Sequence, residues 1–302
     1  MYSPDTSKQR IGLFKDTLSN YFFIIPAIAM FAVFNVYPFY KLFELSVKEW
    51  DGYSMTAQFV GFRNFFEAFK DGWWWESVWN GIYITLLALT LQNGLALVLA
   101  LVVDREIRAK NFYRVVFFVP PILSGIVVGL VWKWLYNGEY GLINHWLSLI
   151  GLGQLARSWL ADPDLALTSV AVVHMWKGFG WGFIILLAGL QSIPRELYEA
   201  ARVDGAGDWR IFVHIIIPLM IPVFFLVSIL TVLGTMQIFD IVVALTNGGP
   251  GGSTEVPIFR IITEMWGNHR FGYACTMGII FGVMLLIVSM VQIFLSRRLR
   301  YD

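Results

Sequence analysis

The sequence has 302 residues, of which 57% are hydrophobic and 14% charged, with a net charge of +1 and a mean hydropathy of +0.64. Soluble domains carry about 25% charged residues, so the default reading is a membrane protein, and the balanced charge gives no sign of a nucleic-acid partner. Cys275 is the only cysteine, which excludes an intrachain disulfide and a thiolate metal cluster and leaves a small apolar helix residue.

A hydrocarbon core about 30 Å thick takes about 20 apolar residues as a helix. Six stretches reach that length, at 21–43, 78–103, 112–136, 167–190, 216–245 and 273–295. The expected fold is all-α: a polytopic membrane protein with six transmembrane helices and both termini cytoplasmic. Residues 1–20 form a cytoplasmic N-terminal segment, and 21–302 form one six-helix domain. The first stretch is too long for a secretory signal, contains Pro26 and Pro38, and is followed by no small-x-small cleavage site, so it reads as a retained anchor. With the N-terminus inside, the inner segments hold thirteen Lys and Arg and the longer outer segments eight. That asymmetry sets the orientation. Trp73 to Trp75, Trp132, Trp134, Trp159 and Trp266 fall near the outer ends, where an aromatic belt belongs.

The connections differ in kind. In the outer segment 44–77, Asn64 to Lys70 reads as a short amphipathic helix on the membrane, and Leu142 to Leu152 as another. The outer run Asn247-Gly248-Gly249-Pro250-Gly251-Gly252-Ser253-Thr254 is rich in glycine but lacks the Lys-Ser/Thr of a P-loop. No nucleotide-binding motif, HExxH or GxSxG occurs, and no internal repeat is evident.

The inner loop 191–215 is the informative segment. It runs from Gln191-Ser192-Ile193-Pro194 through Glu199-Ala200-Ala201 and Asp204-Gly205-Ala206-Gly207 to Ile217-Pro218. Pro194 suits a first helical position. Ala200, Ala201 and Ala206 are small, as a docked helix requires, and Gly205 and Gly207 permit a sharp exit turn. Glu199-Ala200-Ala201, Gly205 four residues on, and the closing Ile217-Pro218 together resemble the EAA loop of the membrane subunits of bacterial ABC importers.

The resemblance covers nearly the whole chain and is to the sugar-type subfamily, which includes the larger maltose permease subunit. Pro26 to Pro38, Phe117-Phe118-Val119-Pro120 with Trp132, and Leu245 to Pro250 also match. The last block suits the first of the two permease partners. The larger maltose subunit has extra N-terminal spans and a large outer domain that this chain lacks, which leaves 44–77 and 137–166 to meet a binding protein. What the resemblance implies is a permease subunit of an ATP-driven, binding-protein-dependent sugar importer in the bacterial plasma membrane, surrounded by lipid. Its partners would be a second permease, two ATPase subunits and an extracytoplasmic solute-binding protein, with no nucleic acid. ATP and Mg would sit on the ATPases, and this chain would hold no cofactor and no metal and would not be an enzyme by itself. Glu199, Ala200, Ala201, Asp204 and Gly205 would form the helix that couples to the ATPase.

Two faces follow from helical spacing. His174, Lys177, Gly178 and Trp181 lie within about 100° on the fourth span. Thr231, Thr235 and Ile238 form one face on the fifth. At 1.5 Å per residue, Gly178 and Thr231 both stand about 20 Å from the inner loop. A pyranose could stack on Trp181, fit over Gly178 and bond to Thr231 and Thr235. The resemblance aligns maltose-type sugar contacts with His174, Gly178, Trp181, Thr231, Thr235 and Ile238, where Ile238 replaces a polar residue. Packing between spans is the alternative, since glycine and threonine are common there. Lys177 and Asp240 are charges within spans and mark a pathway or a pair. Lys177 meets either an acidic sugar or a wet cavity, and Asp240, near the outer end of its span, is within reach of water. A polyol, glycerol phosphate or acidic oligosaccharide is the second substrate reading. A proton-coupled carrier using Lys177, His174 and Asp240 is a rival, but carriers usually carry repeats. A membrane-embedded enzyme lacks any nucleophile–base pair.

Overall fold

The computed structural model describes residues 24–105 and 108–301. The expected N-terminal segment 1–20 and its basic residues lie outside the described residues. In chain order the helices are α1 (Ile24–Ser46), α2 (Arg63–Lys70), α3 (Gly72–Asp104), α4 (Lys110–Ile122), α5 (Gly125–Leu135), α6 (Leu142–Leu149), α7 (Pro163–Gln191), α8 (Arg195–Val203), α9 (Asp208–Met236), α10 (Asp240–Leu245), α11 (Pro257–Ile262) and α12 (Phe271–Tyr301). A two-residue antiparallel hairpin, β1 (Lys48–Glu49) with β2 (Gln58–Phe59), pairs Lys48 with Phe59. The expected all-α membrane fold is therefore present, with this small hairpin added.

Five helices, α1, α3, α7, α9 and α12, are long and apolar enough to cross a membrane. The third expected span, 112–136, is not one helix. It is α4 and α5, bent by 94° at Leu123 and Ser124. Leu123 (ψ 145) and Ser124 (ψ 131) leave helical geometry, which ends α4 just after Pro120 and Pro121 and starts α5 afresh. Counted as one broken span, the pair brings the number to six. The fifth expected span, 216–245, is also interrupted. α9 ends at Met236 and α10 starts at Asp240. Asp240 is thus the first residue of a separate short helix, not a position near the outer end of one continuous span.

Proline leaves a second signature. Ala32–Val36 and Phe212–Ile216 are wound as π-turns. Each contains the residue four before a proline, Phe34 for Pro38 and His214 for Pro218. A wider turn accommodates the missing N–H and the ring.

The chain divides into two compact units. The first comprises 24–69 and 264–279 of the described residues. There, Asn64 Nδ2 donates to the carbonyls of Ser46 and Lys48, both at 2.9 Å. Thr276 Oγ1 donates to the same Ser46 carbonyl at 2.9 Å. The expected helix over Asn64 to Lys70 forms. It buries Asn64 and Ala68 and exposes Phe62, Phe66 and Phe69 alongside it, the inverse of a helix on a soluble protein.

The second unit comprises 70–263 and 280–301. Asp71 caps α3 by accepting from the Trp74 N–H, and Asp162 caps α7 by accepting from Asp164 N–H, with Pro163 at the first helical position. One apolar cluster joins Ala96 and Ala100 of α3 to Phe183, Leu186 and Leu190 of α7 and Met220 and Val227 of α9. A second joins Ile84, Val128, Val170 and Val173 to Ile238, Ile241 and Leu245. Small residues allow close approach of the two short helices: a methyl on Gly129 of α5 would lie 2.5 Å from Ala244 Cβ of α10. The expected aromatic belt holds only in part. Trp73 and Trp75 are exposed, but Trp74 is fully buried, and Trp132 and Trp159 pack against the second cluster.

Candidate functional site

A cavity of about 610 Å³ opens within the second unit, between α7 and the α9–α10 break, with Gln92 of α3 on its wall. All seven residues expected from helical spacing line it: His174, Lys177, Gly178 and Trp181 from α7, Thr231 and Thr235 from α9, and Ile238 from the break. The break itself explains why Ile238 arrives there. Gln237 and Phe239 leave helical geometry, so Ile238 shares the cavity with Thr235 without continuing its helical face.

The chemistry of these residues differs from the spacing argument. His174 Nε2 and Thr235 Oγ1 are hydrogen-bonded at 3.1 Å. Thr231 Oγ1 donates to Asn93 Oδ1 at 3.1 Å. Thr235 is 1% exposed and Thr231 8%. Both hydroxyls therefore tie helices together, and each keeps acceptor capacity beyond that one bond. Gly178 is also not an empty gap, because the Gln92 amide occupies the space beside it. Trp181 remains available. It is 55% exposed, and its ring meets Phe118 edge-on at 5.1 Å. Lys177 lines the cavity and has no hydrogen bond or ion pair among the described residues. Asp240 lines it too, with Oδ1 accepting from the Ile241 N–H at 2.9 Å. The other carboxylate oxygen fills the space beside Gly125, where a side chain would collide with it. Charge on α10 is thereby seated at the first turn of α5, a favourable position for an anion.

Helical spacing missed Gln92, Gln237 and the contribution of the break. Gln92 belongs to the second span, and nothing in the sequence aligned its depth with that of Gly178. One expected effect follows from the His174 contact. Thr235→Val should cost about 1 kcal/mol of stability by removing one hydrogen bond, and a thermal-shift series on the purified protein reads it.

The loop 191–215 is built as a pinned elbow. Ile193 and Ile211 are buried at its two ends. Pro194 is the residue before α8 and not its first helical residue. Tyr198, Ala201 and Ala206 pack toward the chain's own core, and burial pushes the Tyr198 phenol up. Glu199, Ala200, Asp204 and Gly205 are exposed, as are Leu197, Val203 and Trp209. The three alanines thus split: Ala201 and Ala206 serve internal packing, and Ala200 faces outward. Gly205 has φ +77, but Gly207 has φ −74, so only Gly205 needs the glycine backbone.

Comparisons with known proteins agree with this architecture. Residues 68–301 match the family described as "Binding-protein-dependent transport system inner membrane component". A probable ABC transporter permease protein, YurN of Bacillus subtilis, is 33% identical over 90% of this chain and 94% of its own. The sn-glycerol-3-phosphate transport system permease protein UgpA of Agrobacterium fabrum is 29% identical over 96% of this chain and 98% of its own. The trehalose/maltose transport system permease protein MalF of Thermococcus litoralis is 28% identical over 94% and 95%. A chain in the crystal structure of a bacterial ABC transporter that imports the acidic polysaccharide alginate superposes with a TM-score of 0.81, covering 96% of this chain and 99% of that one at 23% identity. The apolar helices, the broken spans and the match over 68–301 together place this multi-pass inner-membrane protein: the chain belongs to the family of binding-protein-dependent transport system inner membrane components.

Proposed function

We propose that the chain is the permease subunit of an ATP-driven importer that carries a sugar or oligosaccharide into the cytoplasm. The carrying observation is the cavity, where an exposed tryptophan, neutral amides and a lysine with no ion pair among the described residues meet beside the α9–α10 break. Non-helical backbone at membrane depth is tolerated where it is buried in protein or lines a cavity. Relatives named for trehalose/maltose and sn-glycerol 3-phosphate transport support a polyhydroxylated substrate. The relative with alginate as cargo makes an acidic oligosaccharide the second reading, with Lys177 as the cation that would meet it.

In this reading both termini and the loop 191–215 are cytoplasmic. Glu199, Ala200, Ala201, Asp204 and Gly205 form the elbow that docks on an ATPase subunit, with Ala201 supporting it from within. A second permease, two ATPases carrying ATP and Mg, and a solute-binding protein complete the complex. The crystal structure of the alginate importer with a periplasmic protein bound to an alginate pentasaccharide supports the last partner.

The test is ATP-dependent uptake by proteoliposomes containing the chain with its partner subunits and binding protein. Labelled maltose, trehalose, sn-glycerol 3-phosphate and an alginate oligosaccharide serve as candidates. Uptake of a neutral sugar that withstands a protonophore is the expected result. Uptake abolished by the protonophore and independent of ATP would favour a proton-coupled carrier. Trp181→Ala should weaken substrate binding by up to about tenfold, since aromatic contacts contribute about 0.5–1.5 kcal/mol. Lys177→Met should leave neutral-sugar transport within about twofold, and selective loss of the alginate oligosaccharide would promote the acidic reading.

A further inference from the structure

Gln92 ends the segment Ala88–Gln92, which is wound as a π-turn. Proline explains the π-turns of α1 and α9, but no proline occurs anywhere from Ala88 to Asp104. A π-turn inserts one residue and rotates the side chains that follow, and such turns concentrate at functional sites. The two residues at its end have different duties. Asn93 Oδ1 accepts from Thr231 Oγ1 at 3.1 Å and ties α3 to α9. Gln92 is 6% exposed and lines the cavity. Its Oε1 is buried and has no hydrogen-bond partner among the described residues. Buried amide oxygens are nearly always satisfied, so this one awaits a donor. The amide also lies against Gly178: a methyl there would stand 2.7 Å from Oε1 and 3.0 Å from Cδ.

We propose that Gln92 contacts the substrate and reads adjacent hydroxyls of a neutral sugar ring, and that Gly178 serves the site by seating the Gln92 amide. This rests on the sugar reading above. A carboxamide offers an acceptor and a donor in one plane. Neighbouring ring hydroxyls match it, one donating to Oε1 and the other accepting from Nε2. An ionised phosphate or carboxylate only accepts and leaves Oε1 unsatisfied. Gln92 therefore selects for hydroxyl-bearing faces of the cargo.

The experiment is a double-mutant cycle in the assembled permease–ATPase complex in nanodiscs, without binding protein. Maltose and trehalose binding is measured by calorimetric titration, and assembly by gel filtration. Gln92→Ala and Gly178→Ala should each weaken binding about tenfold, the first by deleting the amide and the second by displacing it. The double variant should bind no more weakly than Gln92→Ala, because alanine at position 92 leaves room for the methyl at 178. Gln92→Leu fills the original volume, so its expected tenfold loss is not the effect of a hole. If Gln92→Ala and Gln92→Leu bind as the parent does, the proposal fails and the sugar reading stands. Losses that multiply to about a hundredfold in the double variant overturn the seating role, since Gly178 would then face the sugar itself. A parent complex that binds neither sugar overturns the sugar reading and this proposal with it.

Discussion

Gly205→Leu is expected to cut ATP-dependent uptake about tenfold while the helices stay folded. Gly205 stands just after α8 with φ +77, in the left-handed region that costs other residues about 1–2 kcal/mol. The N–H groups of Asp204, Gly205 and Ala206 close back on the carbonyls of Ala200, Arg202 and Ala201, which is how a helix is terminated by a glycine. Leucine has room, because nothing lies within 4 Å of its Cβ position. The penalty is therefore conformational, and relaxing it would move the exposed elbow that the proposed function docks on an ATPase. A shift of about 1.4 kcal/mol is tenfold in population. Gly207→Leu is the matched control, since Gly207 also has open space but a φ of −74. Uptake and binding-protein-stimulated ATP hydrolysis, measured together, should separate in Gly205→Leu and remain normal in Gly207→Leu. Equal behaviour of the two variants would remove Gly205 from the coupling elbow.

Gly180→Val should be the most damaging of the glycine substitutions in α7, where Gly180 faces α4, and the damage should be to stability. A Cβ at Gly180 would collide with the Phe117 carbonyl and stand 2.7 Å from Pro121 Cγ. A backbone carbonyl and a proline ring cannot swing aside, so α4 would have to part from α7. That separation would also disturb the Phe117–Phe183 contact at 5.3 Å and the Phe118–Trp181 contact at 5.1 Å. Overpacking of this kind typically costs about 1–3 kcal/mol, and contacts with rigid groups put this case at the upper end. Two residues along, Gly182 has its nearest neighbour at 3.4 Å, so Gly182→Ala should be tolerated. Thermal melts in detergent should place the Gly180→Val midpoint roughly 5–10 °C below that of Gly182→Ala. Coincident midpoints would show that α4 yields to the added side chain.

Much of the cavity was legible because α7 is a continuous helix. Over Pro163–Gln191 the 3.6-residue repeat holds, so His174, Lys177, Gly178 and Trp181 had to share a face. The same rule placed Thr231 and Thr235 together on α9. It could not place Ile238 or Asp240, which lie past the end of that helix. Nor could it foresee that His174 and Asn93 would take up the two threonine hydroxyls, since hydrogen bonds between spans depend on which helices become neighbours. The elbow at 191–215 was readable from glycine, alanine and proline in a short exposed segment, but only the backbone angles distinguish Gly205 from Gly207.

The sequence by itself determined the class of molecule and where its long apolar helices lie. Hydrocarbon thickness and the cost of exposed backbone groups make each long apolar stretch a helix whatever its neighbours are. It also determined the family, through the loop that begins at Gln191. Tertiary structure decided where helices break and what fills each gap. The α4–α5 bend lies at Leu123 and Ser124, but what packs against it is set by α10, which brings Asp240 to Gly125 and Ala244 to Gly129. Likewise, Gly178 is a gap in one helix until α3 brings Gln92 into it. Contacts between residues 86 positions apart in the chain depend on packing that no local pattern encodes.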